Sequence, residues 1–455
     1  MLKIQQAIYP VFILLIISQL FGGCAGTSPQ AAFEQVRTDL EERGINQIHW
    51  YTDTEEDRHI AEAMEELLEQ ELTAESAVRI ALLNNRRLQA AYQGLGVAQA
   101  DLVQAGLLEN PAFTGTVFPS SDGPAGLDLH VTQNFLQIFY IPLRKRIAES
   151  MLEEAKINVT SLVLDLEYDT RIAFYQTQAG IQLAEMFEQV NMATELGYDF
   201  AKRLYEAGNI TDLELNRHRV LYEQTRVDLR SAEADLVHYR EELNQLMGLY
   251  GEQIKWDVVS RLADIPDEDI DLDQLEARVV ENSLQLKLTE QRIITAGRAL
   301  GLSEATRWMP WLEIGVEAER SSDWEIGPRL SLPIPLFDRG QAHVARSHAE
   351  LKREKEFYTA HAVEIRSIAR QYRNQLEKAE DTGRHYKSVI LPLRERITNE
   401  TQLQYNAMQV GLFDLLRARE QQIEAGKDYI MALYEYWSAS AAIEQLLRGR
   451  VPHPF

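Results

Sequence analysis

Two kinds of pattern alternate along the chain. Long stretches repeat apolar residues every three or four positions, the spacing of an amphipathic helix. Short stretches alternate apolar and polar residues one by one, the spacing of a strand with unlike faces. A helix is predicted from Thr73, a good N-cap residue, with Leu88, Tyr92, Leu95, Gln99 and Leu102 along one face. A second helix of this kind is predicted from about Leu272 to Thr306. Each is followed by a proline and a pair of strands. In Trp311 to Arg320, Leu312, Ile314, Val316 and Ala318 take one face and Glu313, Gly315, Glu317 and Glu319 the other. In Trp324 to Ile334, Trp324, Ile326, Leu330, Leu332 and Ile334 oppose Glu325, Gly327, Arg329 and Ser331. Leu127, Leu129, Val131 and Phe135 alternate in the same way with Asp128, His130, Thr132 and Asn134, whereas Ala112 to Phe118 mixes aromatic, Thr and Gly residues.

The rest is helical. No proline occurs between Pro142 and Pro266, so a helix from Arg144 to about Leu204 would be on the order of 90 Å long. The return helix carries Leu229, Ala232, Leu236, Tyr239, Leu243 and Leu246 in alternating steps of three and four. Tyr429, Ala432, Tyr436, Ala439, Ile443 and Leu446 repeat those steps later. Both are coiled-coil seams. Pro392 predicts a break or kink that the first half lacks.

The chain is written twice, at a shift of about 200 residues. Asn84 and Leu88 answer Asn282 and Leu286, Pro111 answers Pro310, and Ile141-Pro142-Leu143 answers Ile334-Pro335-Leu336. Tyr205 and Ala207 answer Tyr405 and Ala407, and Leu243 and Leu246 answer Ile443 and Leu446. The fold class expected is mainly α with a small β part: a duplicated helix-strand-strand-helix-helix unit with long coiled-coil hairpins. Strands of about ten residues with one apolar face suit a membrane barrel. Four strands cannot enclose a lumen, since small closed barrels need about eight, so several copies must contribute to one barrel.

Charge and cysteine usage narrow the partners. The formal net charge is −24, which argues against nucleic acid, whose binding needs clustered Lys and Arg. There is one cysteine, Cys24, which excludes an intramolecular disulfide and a Cys-rich metal site. Lys3 precedes an apolar run from Ala7 to Leu20, and Phe21-Gly22-Gly23 leads into Cys24. That is the layout of a secretory signal. Small residues before a lone cysteine resemble the bacterial lipobox, which implies acylation of Cys24, and Ala25 after it implies sorting to the outer membrane. The domain organisation expected is a signal peptide over 1–23, a lipidated extension over 24–71, a first repeat over 72–251, a connecting segment over 252–271, a second repeat over 272–449 and a tail over 450–455.

LTAESAVRIALLNN from Leu72, VQAGLLENP from Val103 and IPLFDRGQAHVARSHAEL from Ile334, doubled in order behind a lipobox, resemble the TolC family of outer-membrane efflux proteins. The first two resemble its heavy-metal-efflux branch. The third resembles the family's strand-to-helix junction at Pro335, Leu336, Phe337, Asp338 and Gly340. The sequence departs from the family where a proline is replaced by Arg86 and Leu284, and where the tip glycine, Gly208 in the first half, is Met408 in the second. The resemblance implies a homotrimer pooling its strands into a twelve-stranded barrel, with the helices forming a periplasmic tunnel. It implies a passive duct in the outer membrane, part of a tripartite efflux or type I secretion-like system with a periplasmic adaptor and an inner-membrane pump. It also places Asp414 at the family's usual tip aspartate, with Glu214 as its first-half counterpart, Asp212 a turn short of them, and Arg417 where some members carry a second acid. A ring of such carboxylates around a pore attracts cations. The same acids also suit a helix N-terminus, so both readings stand. The competing class is a periplasmic adaptor lipoprotein with a coiled-coil hairpin. No phosphate loop, nucleophile elbow or zinc-protease motif occurs, and His343 and His348, five apart, are poorly placed for one helix face. No enzyme activity and no cofactor are expected.

Overall fold

The computed structural model describes residues 28–452 apart from 53, 120–124, 260, 269 and 321–323. Cys24, the signal segment and the last residues of the tail lie outside them. In chain order the elements are α1 (Gln30–Glu42), α2 (Glu55–Leu68), α3 (Ala74–Asn84), α4 (Arg86–Gly106), β1 (Ala112–Phe118), β2 (Gly126–Asn134), α5 (Gln137–Glu206) and α6 (Asp212–Met247). There follow α7 (Leu275–Asn282), α8 (Leu284–Thr306), β3 (Glu313–Arg320), β4 (Trp324–Ser331), α9 (Gln341–His385), a π-helical turn (Tyr386–Ile390), α10 (Leu391–Asn406) and α11 (Leu412–Leu447). The duplicated helix-strand-strand-helix-helix order is present. No described helix is long and apolar enough to cross a membrane.

The chain forms two compact units, and each draws on both repeats. One contains 93–156 and 291–354. It holds all four strands in a single antiparallel sheet, ordered β1-β2-β3-β4. Its helical part is tied together by polar contacts. Gln291 donates to the Ser150 carbonyl at 3.3 Å, and the Ser303 and Ser347 hydroxyls lie 3.0 Å apart.

The other unit contains 36–92, 157–290 and 355–455. Its core joins Tyr168 and Ile172 of α5, Leu275 and Val279 of α7, Ile365, Ala369 and Leu376 of α9, and Ala442, Ile443 and Leu446 of α11. Both coiled-coil seams behave as expected, since none of their positions is exposed. In the first hairpin, α5 and α6 approach so closely that a Cβ on Gly180 would lie 2.9 Å from the Tyr239 ring. Further along, the Thr194 and Thr225 hydroxyls meet at 2.7 Å and Tyr198 stacks on Tyr222.

Within each repeat, the landmark asparagine reaches the end of that repeat's last helix. The Asn84 amide donates to the carbonyls of Met247 and Gly248, at 3.0 and 2.9 Å. In the second repeat, the Asn282 amide donates to the Leu447 carbonyl at 2.9 Å. Each asparagine thus caps the carbonyl end of its repeat's last helix, where backbone acceptors lack intrahelical partners. Gly248 and Gly449 follow those helices with φ of 70° and 96°. Neither has room for a side chain, because a Cβ would press on the carbonyl of Asn84 or of Asn282 respectively.

The helices that open the repeats are not continuous, contrary to the expectation from Thr73 and Leu272. Each breaks after its asparagine, at Asn85 and Ser283, where ψ is 117° in both. These residues then serve as N-caps. Asn85 Oδ1 accepts from the amides of Arg87 and Leu88, and the Ser283 hydroxyl accepts from that of Leu286. A side-chain cap therefore sets each break, with Arg86 and Leu284 as the first residues of the helices that follow. The interruption expected at Pro392 is present as the π-helical turn, which ends two residues before it. Helix α5 starts earlier than expected, with Pro142 inside its second turn, where the ring forfeits a single backbone bond.

Asn84→Ala leaves two carbonyls without a donor. It is expected to cost about 1–3 kcal/mol, measured as a lower Tm in detergent. Asn282→Ala, which loses one bond at a more exposed site, should cost less.

Candidate functional site: sheet faces and hairpin tips

The sheet carries the first candidate surface. Residues paired directly across an antiparallel ladder share a face, so the register assigns every side chain. Phe113 pairs with Val131, which pairs with Val316, which pairs with Pro328. Val117 pairs with Leu127, and Ala318 pairs with Leu129 and Ile326. Gln133 pairs with Ile314, which pairs with Leu330. One face is therefore apolar almost throughout. The opposite face carries Thr114, Thr116, Asp128, His130, Thr132, Glu313, Glu317, Glu319, Glu325 and Arg329. On it the Arg329 guanidinium lies 3.5 Å from Glu317.

The apolar face is not covered. Phe113 is 69% exposed and Ile326 73%, and Val117, Val316 and Leu330 are exposed as well. The sheet is also open at both sides, because β1 and β4 are the ends of the strand order. Its interior is tight. A Cβ on Gly315 would collide with the Val131 carbonyl oxygen, so the close approach of β2 and β3 requires glycine there. The strands expected to reach Leu312, Phe135, Leu332 and Ile334 stop short of them at Glu313, Asn134 and Ser331.

The hairpin tips carry the second candidate surface. Helix α5 ends at Glu206 and α6 begins at Asp212; α10 ends at Asn406 and α11 begins at Leu412. The two tips repeat each other bond for bond. The amides of Ala207, Gly208 and Asn209 donate to the carbonyls of Arg203, Tyr205 and Leu204. Those of Ala407, Met408 and Gln409 donate to Leu403, Tyr405 and Gln404. Gly208 has φ of 73° and Met408 φ of 58°. Met408 thus adopts the left-handed conformation of the glycine it replaces, with its side chain 94% exposed.

Each tip is closed by an acid at the third position of the return helix. The Glu214 carboxylate accepts from the Thr211 amide at 2.8 Å and from its hydroxyl at 3.0 Å, while the Glu214 amide donates back to that hydroxyl. This is a capping box. The bonds from the Thr211 backbone and side chain hold the Glu214 carboxyl below the usual carboxylate range. Asp414 occupies the equivalent place, and its carboxylate accepts from the Gly411 amide at 3.2 Å. Asp212, at the first position of α6, accepts from the Asn216 side chain at 2.9 Å. Asp212, Asp414 and Arg417 are exposed, and Glu214 is half-buried. Asp212, Glu214 and Asp414 all stand in the first turn of a return helix.

Sequence reasoning missed the link between the tips. The Arg217 guanidinium lies over the Phe413 ring, 5.0 Å from its centre, a cation–π contact. The Thr-x-x-Glu spacing from Thr211 to Glu214 was a readable capping signal; the Arg217–Phe413 contact had none. Among the described residues, no group of three or more His, Cys, Asp or Glu side chains could hold a metal ion.

No family model matches the chain. A search of curated proteins finds the cobalt-zinc-cadmium resistance protein CzcC of Cupriavidus metallidurans, 23% identical over 399 residues, covering 83% of this chain and 90% of that protein. Among solved structures, the chain is similar to the CmeC outer membrane channel of Campylobacter jejuni, with TM-score 0.67 and 15% identity, covering 83% of this chain and 86% of that one. It is also similar to the outer membrane protein VceC of Vibrio cholerae, with TM-score 0.63 and 13% identity, covering 86% of this chain and 97% of that one. The fold is that of outer-membrane channels, and the resemblance to the TolC family read from the sequence is borne out.

Gly208→Ala is expected to destabilise its hairpin by about 1 kcal/mol, the cost of a Cβ in the left-handed region. Met408→Gly relieves the same strain and should not destabilise. Protease susceptibility at each tip reads both.

Proposed function

We infer that this chain, a TolC-family protein, is the outer-membrane channel component of a tripartite efflux system. It acts as a passive duct from periplasm to exterior. The single observation that carries this reading is the sheet: among the described residues one face is apolar and uncovered, the other charged, and both edges unpaired. A sheet of that kind suits lipid on one side and water on the other. In lipid every backbone donor and acceptor needs a partner, so β1 of one copy must meet β4 of another. Three copies give twelve strands, and the homotrimer is the working form.

The other parts of the reading follow the family. Cys24 is the acylated anchor in the outer membrane. The hairpins extend into the periplasm, where an adaptor and an inner-membrane pump engage them and the pump supplies the energy. Asp212, Glu214 and Asp414 from three chains surround the periplasmic mouth, with Arg417 beside them. The bonds from Thr211 favour the charged Glu214 carboxylate, so capping and cation selection are compatible roles for Glu214. CzcC is named for resistance to cobalt, zinc and cadmium, and divalent metal cations are the substrate class we favour here. The adaptor alternative is disfavoured, because strands of both repeats join one sheet with an apolar outer face.

Reconstitution in planar bilayers tests the duct. The purified lipoprotein should form cation-preferring pores. Glu214→Ala with Asp414→Ala should raise conductance or weaken the cation preference. Failure of the unaltered protein to conduct would remove the channel reading; unchanged conductance and selectivity in the variant would remove only the tip ring.

A further inference from the structure

In the unit that holds the sheet, a cavity of about 770 Å³ lies among the start of α5, the end of α8 and the segment after β4. Its walls present two guanidinium groups, Arg144 and Arg307. The Nε and Nη2 atoms of Arg144 and the Nε of Arg307 are shielded from solvent and meet no acceptor. The same cavity holds an unmatched acceptor, Gln137 Oε1, on a side chain only 8% exposed. Asp338 also lines the wall, where its Oδ1 accepts from the Gly340 amide at 2.8 Å. Buried polar atoms without partners are rare and costly, and guanidinium donors are matched best by a planar pair of anionic oxygens.

The lip of this cavity has the opposite character. Ile334, Leu336 and Phe337 line it yet are exposed, Phe337 at 94%. These residues continue the chain just beyond β4, whose apolar side chains are uncovered. Next to the wall residue Arg307, the exposed Trp308 ring has the guanidiniums of Arg307 and Arg339 over it, 5.0 and 5.9 Å from its centre. Aromatic and basic residues bordering an apolar strand face mark a membrane–water interface. A ligand that fits must carry a phosphate-like anion, a hydrogen-bond donor for Gln137, and hydrocarbon for the lip.

We propose that this cavity binds the headgroup of a glycerophospholipid. The phosphodiester oxygens accept from Arg144 and Arg307, the ammonium of an ethanolamine headgroup donates to Gln137 Oε1 and faces Asp338, and the acyl chains lie against Ile334, Leu336 and Phe337. The site rests on the membrane reading of the sheet, but its test does not depend on conduction.

The experiment is native mass spectrometry of the delipidated protein in detergent, titrated separately with short-chain phosphatidylethanolamine, phosphatidylglycerol, diacylglycerol and inorganic phosphate. Phosphatidylethanolamine is expected to bind best and diacylglycerol at least about tenfold more weakly, the cost of losing a charge-assisted pair. In the Arg144→Gln, Arg307→Gln protein the preference for the phospholipids over diacylglycerol should disappear. Equal binding of diacylglycerol to the unaltered protein would overturn the headgroup site. So would binding of inorganic phosphate without phospholipid, which would mark a free-anion site. Binding of no lipid, with loss of oligomer in the variant, would assign the arginines to a contact between copies instead. If the variant does not fold, the comparison of lipids on the unaltered protein decides alone. A channel that conducts but shows no headgroup preference would leave the duct standing and remove this site.

Discussion

Backbone hydrogen bonding in a medium without water is the constraint on which the rest depends. A strand exposed to hydrocarbon must pair on both sides. This chain supplies four strands whose register sets Phe113, Val131, Val316 and Ile326 on one face and Asp128, His130, Glu317 and Arg329 on the other. Among the described residues, its two outer strands have no further neighbour. Such a sheet is unfinished as a monomer, and apolar area of this kind exposed to water would promote aggregation. In the proposed trimer, further copies would satisfy the edges and the charged face would surround a common lumen. The proposed function as a duct rests on this feature, that a single chain leaves its sheet unfinished.

The unit outside the sheet is organised by duplication. Asn84 and Asn282 each cap the end of their own repeat, against a glycine that has no room for a side chain. The repeats are then joined by charge. Glu167 and Arg171 of α5 meet Glu444 and Arg448 at the end of α11, and Arg450 forms a two-bond pair with Asp165 at 2.7 Å. Glu167 is buried. Buried ion pairs add little net stability compared with apolar packing, but breaking one is costly. Their effect here is to fix how α5 of the first repeat registers against α11 of the second.

Much of this was legible in the sequence because strict periodicities carry it. The alternation in Trp311 to Arg320 fixed which side chains share a face, and the three–four steps at Leu229 and Tyr429 marked the seams, none of whose positions is exposed. The doubling was legible because its landmarks, Asn84 with Asn282 and Leu246 with Leu446, sit where one repeat must be closed in the same way as the other. What escaped lies in single side chains acting on backbone. The breaks at Asn85 and Ser283 have no proline to announce them and depend on an amide and a hydroxyl that could equally have faced solvent. The left-handed Met408 contradicts the usual preference for glycine, and only the surrounding bonds impose it. Arg144 and Arg307, which line one cavity, stand 163 positions apart in sequence, so no local pattern links them.

Closure of the sheet between copies can be read directly. Thr116→Cys on β1 and Gly327→Cys on β4 place two thiols on the charged face, on the outer strands. Within one chain these strands are three spacings apart, about 14 Å, too far for a disulfide. Mild oxidation of the protein in outer-membrane vesicles should therefore join chains, giving species of two and three chains and none larger. Chains that stay single under oxidation, or a ladder that runs on past three, would contradict a closed trimeric barrel.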